Sequence, residues 1–272
     1  MPVNPLKKLL SRSETCRVLN TLPSLLRGSI RASGWTDSVL EESKCAKIQE
    51  EVASNLSNPL RAYFDSVTKG KGIWKWLHYF DIYQRHFQKF IGKEVRVVEV
   101  GIYSGGSLDM WKTYFGPKCI VYGVDVEEAC RAYEDERTKV FIGDQADRGF
   151  WRHFREQVPH VDILIDDGGH LIEQQIVTLE EMLPHLHRGG VYLCEDVHGT
   201  HNRFASYVNG LATHLNALTP KEAEESTVLT CAFQRAISSV HLYPFVTVIE
   251  KVCSPVDQLL SIKHGTEWQP FL

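Results

Sequence analysis

Five apolar runs in this chain close on acids: Glu99, Asp125, Asp144, the pair Asp166-Asp167 and the pair Glu195-Asp196. If the runs are neighbouring strands, these carboxylates converge on one crevice and repel each other unless a cation sits among them. Asp167, Glu195 and Asp196 are hard oxygen donors suited to Mg²⁺ or another divalent cation, which keeps waters or takes substrate oxygens. His170 follows Asp167 by three positions and is the candidate general base. An imidazole titrates near neutrality and a metal-bound hydroxyl is more acidic, so both groups would act on one proton. His198 and His201 are rival bases or substrate contacts, and among 12 histidines no single one decides the matter. The competing reading has Asp166 or Asp167 capping the next helix, with Glu195 and Asp196 in surface ion pairs.

The elements that must position these groups begin with the strand Val95–Val100, a turn Gly101-Ile102-Tyr103-Ser104-Gly105-Gly106, and an amphipathic run through Leu108, Met110 and Trp111. Glycines let backbone pass close to a ligand, and a helix N-terminus offers free N–H groups to an anion. An ordinary strand-to-helix connection would look similar. The second run, Cys119–Asp125, places Asp125 where a carboxylate accepts bonds from both ribose hydroxyls of a nucleoside. A dinucleotide site wants Gly-x-Gly-x-x-Gly, and the middle glycine is missing here. The pattern Glu99-x-Gly101-x-x-x-Gly105 instead resembles the first motif of class I methyltransferases that use S-adenosylmethionine (SAM). In such a site Asp144 and Gln145 would lie beside the adenine, although Asp144 or Asp147 could equally cap the helix running through Trp151 and Phe154.

Strands are expected over 139–144, Val161–Asp166 and 191–196, with a crossover helix over 173–187 stopped by Gly189-Gly190. Residues 73–90 predict one long helix with Trp76, Tyr79, Phe80, Tyr83, Phe87 and Phe90 as an aromatic stripe. Trp74, His78 and Tyr79 at its start are candidates for reaching the cofactor side. Further helices are expected over 40–55, 60–67 and 201–218, a turn at Lys69-Gly70-Lys71-Gly72, a polar loop over 220–226, and two C-terminal strands within 239–251. The fold class is therefore α/β, Rossmann-like: a mostly parallel seven-stranded sheet with a C-terminal antiparallel strand and helices on both faces. Residues 1–72 form an N-terminal helical arm, lid or oligomerisation segment, and residues 73–272 the SAM-binding domain.

A chain of 272 residues with formal charge −4 fits one α/β domain with an extension and gives no reason to expect a nucleic-acid partner. Seven scattered cysteines without a Cys-x-x-Cys pair indicate a reducing, cytoplasmic setting, and no apolar run approaches the ~20 residues that span a bilayer. The start of the chain is basic, with Lys7, Lys8, Arg12, Arg17, Arg27 and Arg31 against Glu14. It reads as an arm packing on the domain or on a sister subunit of a homo-oligomer, with an organelle-targeting segment as the alternative.

Trp76-Leu77-His78-Tyr79, Glu99 to Ser107, Tyr122-Gly123-Val124-Asp125, Ile165 to His170 and Glu195-Asp196-Val197-His198 together resemble the metal-dependent macrolide-sugar O-methyltransferases of the mycinamicin and tylosin type. That resemblance runs from about residue 73 to 251. It implies Mg²⁺ on Asp167, Glu195 and Asp196, His170 as base, and SAM held by Glu99, Gly101, Ser107, Asp125, Asp144 and Asp166; Tyr103 and Gln145 are further candidate cofactor contacts. Gly169 replaces the serine usual in that family, and His198-Gly199-Thr200-His201 departs from its usual His-Thr-Ser-Tyr. The function implied is methylation of a hydroxyl on a small-molecule acceptor, a glycoside or other secondary metabolite. The alternatives are an iron enzyme of the cephalosporin-hydroxylase type and a SAM-binding subunit without catalysis.

Overall fold

The computed structural model describes residues 22–23, 26–33, 58–199, 202–216 and 227–265. The chain divides into two units, Met1–Leu56 and Ser57–Leu272. In the first, residues 22–23 and 26–33 are helical, with Leu22, Leu26, Arg27 and Arg31 exposed. The other basic and apolar positions of the expected arm, the helix over 40–55, the loop over 220–226 and His201 lie outside the described residues.

In the second unit, β-branched runs make the strands and amphipathic runs the helices. They are α1 (Pro59–Ser66), α2 (Tyr79–Phe87), β1 (Val95–Val100), α3 (Gly106–Phe115), β2 (Cys119–Asp125), β3 (Thr138–Ile142), α4 (Arg148–Gln157) and β4 (Val161–Asp166). There follow α5 (Ile172–Met182), β5 (Leu186–Cys194), α6 (Arg203–Ala212), β6 (Thr227–Leu229), α7 (Ala232–Ala236), β7 (Ile237–Tyr243), β8 (Val246–Lys251) and β9 (Gln258–Leu260). The main sheet has seven strands in the order β3-β2-β1-β4-β5-β8-β7. Strands β1 to β5 pair in parallel, and β8 runs antiparallel to both its neighbours. The chain steps outward from β1 to β3 and then returns to the other flank of β1, so β1 and β4 mark the switch in strand order where α/β sheets bind ligands.

Both faces of the sheet are covered, which is why its strands read as continuous apolar runs. Val97, Val121 and Ile163 pack against Leu60 of α1, the aromatic stripe of α2 and Trp111 and Phe115 of α3. Their sequence neighbours Val98, Tyr122 and Leu164 point the other way, onto Trp151 and Phe154 of α4, Leu179 of α5 and Phe204 of α6. Each fully buried Phe contributes on the order of 2–3 kcal/mol. The register that sets these faces also sets the strand tips: Val100 pairs with Asp166, and Asp166 with Cys194. Asp167 and Glu195 therefore emerge side by side.

Several expectations change. The helix over 73–90 begins only at Tyr79, ends as a 3-10 turn at Gln88–Phe90, and is preceded by an irregular strap over 72–76. The crossover helix stops at Met182, just before Pro184, because proline has no N–H to continue it. Gly189 and Gly190 are not its stop; they lie inside β5, where the pairing with β4 shifts register, and Gly189 takes φ +75°. Strand β3 ends at Ile142, since the Asp144 carboxylate turns back to accept the Ala146 N–H at 2.8 Å. The small sheet of β6 and β9 had no local signal in the sequence. The expected helix over 201–218 is α6, capped by Asn202.

Candidate active site

A cavity of about 760 Å³ opens at the carboxyl ends of β1, β2, β4 and β5. Its first half is built by the glycine turn. Gly101 has φ +83°, and a Cβ there would lie 2.1 Å from the Asp167 carbonyl oxygen, so the β1 and β4 loops meet only because this residue is glycine. Gly105, also left-handed at φ +73°, caps α3. Tyr103 is a non-glycine residue at φ +43°; its N–H donates to Asp125 Oδ2 at 3.1 Å while Asp125 Oδ1 accepts the Glu127 N–H at 3.0 Å. The Asp125 carboxylate is thus pinned at the tip of β2, facing the cavity.

Three of the expected binding residues take other places. Asp144 is exposed and lies away from the cavity lining, and the cap of α4 is Asp147. Asp166 lies beneath the floor, 1% exposed, accepting from Gln145 Nε2 at 2.9 Å and Tyr192 Oη at 3.2 Å. Burial outweighs those bonds and pushes its carboxyl up to about 6. Glu99 is fully buried and does not line the cavity either; its Oε2 accepts from Ser107 Oγ at 2.8 Å. Gln145 does line the cavity, with its amide already in use: Nε2 donates to Asp166 and Thr178, and Oε1 accepts the Gly169 N–H at 2.8 Å. It fastens the loop that carries His170. Neither Asp166 nor Asp167 caps α5, whose first turn is closed by Gln174 Oε1 accepting the Leu171 N–H.

The second half of the cavity holds the acids. Asp167, Glu195 and Asp196 all line it, as does His170. Asp196 Oδ1 accepts from Tyr79 Oη at 2.8 Å and Trp76 Nε1 at 3.0 Å. Its Oδ2 stands 3.5 Å from His170 Nε2. His170 and Asp196 both hold positive φ, 55° and 53°, so with Tyr103 three of the four such non-glycine residues among the described residues sit at this cavity. Strained backbone of this kind costs about 1–3 kcal/mol per residue and collects at functional sites. One oxygen of Asp167, one ring nitrogen of His170 and one oxygen of Asp196 lie within 4.8 Å of one another. His198 stays near, its ring 5.2 Å from that of Phe245, and Trp74 is 88% exposed at the rim. His78 bonds the Pro244 carbonyl at 3.0 Å.

The residue that sequence reasoning missed is Lys75. Its Nζ donates to Asp167 Oδ2 at 2.6 Å and to Glu195 Oε1 and Oε2 at 3.0 and 3.1 Å, and lies 3.6 Å from Glu99 Oε1. Burial disfavours the ammonium, yet Asp167, Glu195 and Glu99 more than offset it, and Lys75 is held charged. Glu195 also accepts from Tyr83 Oη at 2.6 Å. Burial and the Asp167 charge push its carboxyl up, because one ammonium serves three acids. A signal existed: a helix from residue 73 would set Lys75 four positions before Tyr79, a charge on an apolar stripe.

No protein-family model matches the chain. It is 38% identical over 132 residues to demethylmacrocin O-methyltransferase of Streptomyces fradiae, covering 46% of this chain and 33% of that protein. It is 29% identical over 202 residues to an 8-demethyl-8-alpha-L-rhamnosyl tetracenomycin-C 2'-O-methyltransferase of Streptomyces olivaceus, covering 67% and 52%. Among solved structures, MycE methyltransferase of the mycinamycin biosynthetic pathway, in complex with Mg, SAH and mycinamycin VI, superposes with a TM-score of 0.56 at 26% identity, over 66% of this chain and 51% of that one. The fold is that of the class I SAM-dependent methyltransferases. The chain spans between a third and about half of the length of the two curated relatives. Among its described residues no helix is long and apolar enough to cross a membrane.

Proposed function

We propose that the chain is a SAM-dependent, divalent-cation-assisted O-methyltransferase acting on a hydroxyl of a small glycoside or other secondary metabolite. The observation that carries this reading is the joining, in one cavity, of the glycine turn with Asp125 to the open Asp167–His170–Asp196 cluster. Relatives named as O-methyltransferases, one of them of a rhamnosyl tetracenomycin-C, and a similar structure solved with Mg and SAH support it.

The residues fit both partners. Asp125 is fixed to accept from ribose hydroxyls, and Tyr103 and Gln145 flank the same space. Glu99, Asp167 and Glu195 share a single ammonium, and Asp196 follows Glu195 at the cavity wall. That surplus of negative charge suits a sulfonium and a divalent cation. Asp167 and Asp196 lie nearest open space, and both Asp167 and Glu195 would meet a cation only by sharing or leaving Lys75. When bound, the metal polarises the acceptor hydroxyl and SAM supplies the methyl group. His170 Nε2 would take the proton of the acceptor hydroxyl. Asp196 Oδ2, 3.5 Å away, steadies the resulting imidazolium. The positive-φ turns at Tyr103, His170 and Asp196 hold these groups before substrate arrives. An iron site of the two-His-one-carboxylate kind needs a second imidazole, and the cluster at this cavity carries one.

Calorimetric titration of SAH into metal-free and Mg²⁺-loaded protein, followed by transfer of labelled methyl to a panel of glycosides, tests the reading. Micromolar SAH binding with Mg²⁺-dependent transfer is expected. Absence of SAH binding under either condition would sink it.

A further inference from the structure

The acid half of the cavity already contains a cation of its own. Lys75 lies on the strap over 72–76, between Trp74 at 88% and Trp76 at 51% exposure, while its own side chain is 3% exposed. This inverts the usual preference, in which lysine faces water and tryptophan is covered. Burying an ammonium is costly unless it is paired, and its partners are Asp167 and Glu195 at bond distance with Glu99 just beyond. These contacts use its donors, so Lys75 holds two strand tips, after β4 and β5, against each other. Glu99 Oε1, 3.6 Å from the ammonium, is at ion-pair rather than hydrogen-bond distance. Lysine is a point charge on a flexible stem, and this one belongs to the cavity lining.

We propose that the Lys75 ammonium and a divalent cation are alternative counter-ions of Asp167 and Glu195. Without metal, Lys75 keeps the two acids together and the cavity formed; metal entering this cluster takes over their oxygens and displaces the ammonium along its stem. Lys75 is thus a positioning residue that sets how tightly the site takes metal, an inference that rests on the methyltransferase reading of the cavity.

The test is Mn²⁺ titration followed by electron paramagnetic resonance on wild type, Lys75→Met and Lys75→Arg, with melting curves with and without Mn²⁺ and SAH calorimetry on each. Loss of a positive charge this close to the site raises Mn²⁺ affinity of Lys75→Met at least ~10-fold. Mn²⁺ should also raise its Tm by more than it raises that of wild type, and Lys75→Arg, which keeps the charge, should stay near wild type. Unchanged or weaker Mn²⁺ binding by Lys75→Met would overturn the proposal. So would equal tightening in both variants, or a Lys75→Met protein that stays unfolded at saturating Mn²⁺, since a true alternative counter-ion replaces the ammonium. Failure of wild type to bind SAH would instead remove the methyltransferase reading itself; SAH binding with Mn²⁺ affinity unmoved removes only this inference.

Discussion

The two halves of the cavity solve the same problem, holding negative groups at strand tips, by opposite means. In the glycine-turn half, Asp125 is held by backbone N–H groups of Tyr103 and Glu127, close to it in the fold and needing no second charge. In the acid half, Asp167 and Glu195 are held by Lys75, which is 92 and 120 residues away in sequence. The first arrangement needs only two neighbouring strand tips, with Tyr103 22 residues from Asp125; the second exists only after the sheet, the strap and α2 have come together. It follows that the glycine-turn half should tolerate changes at the acids, and the converse, with one residue joining both.

The largest expected effect is in the acid half. Asp167→Ala should lower metal-dependent methyl transfer by on the order of 10⁴-fold, several kcal/mol of lost metal assistance, while SAH affinity by calorimetry changes little. A parallel collapse of SAH binding would erase the distinction between the halves. His170→Ala should cost ~10³-fold in turnover, the range of general-base catalysis, again with SAH binding retained. Unchanged turnover would remove His170 from its role.

Gly101→Ala should breach both halves at once. Its Cβ would stand 2.1 Å from the Asp167 carbonyl at a φ of +83°, so roughly 3 kcal/mol of stability should be lost in urea unfolding, with SAH and Mn²⁺ affinities both reduced. A variant that weakens one affinity alone would show that the two loops are less coupled than their contact suggests. The smallest effect belongs to Asp125→Ala. Loss of charge-assisted bonds to the ribose, about 2 kcal/mol, should weaken SAH ~30-fold and leave Mn²⁺ binding near wild type.

Much of the frame was legible. Strands β1, β2 and β4 fall at their expected bounds because a strand buried on both faces writes itself as an unbroken apolar run. Where two signals competed, the local one misled. Gly189-Gly190 looked like a helix stop, and tertiary pairing with β4 made it an irregularity within β5. The aromatic spacing of α2 extended the expected helix six residues too far, and Lys75 disappeared into it. Asp144, Asp166 and Glu99 were correctly placed at or near strand ends. Whether a carboxylate at a strand end faces the cavity, water or the interior depends on the next one or two dihedrals, which periodicity does not encode.

The sequence by itself determined the class of fold and the closing of its apolar runs on acids, because alternation of apolar runs with glycine turns leaves few other topologies. Only the tertiary structure decided which acid receives which counter-charge. That choice rests on an ammonium carried in by an irregular strap and on Coulomb interactions between residues far apart in the chain, and no local pattern records it.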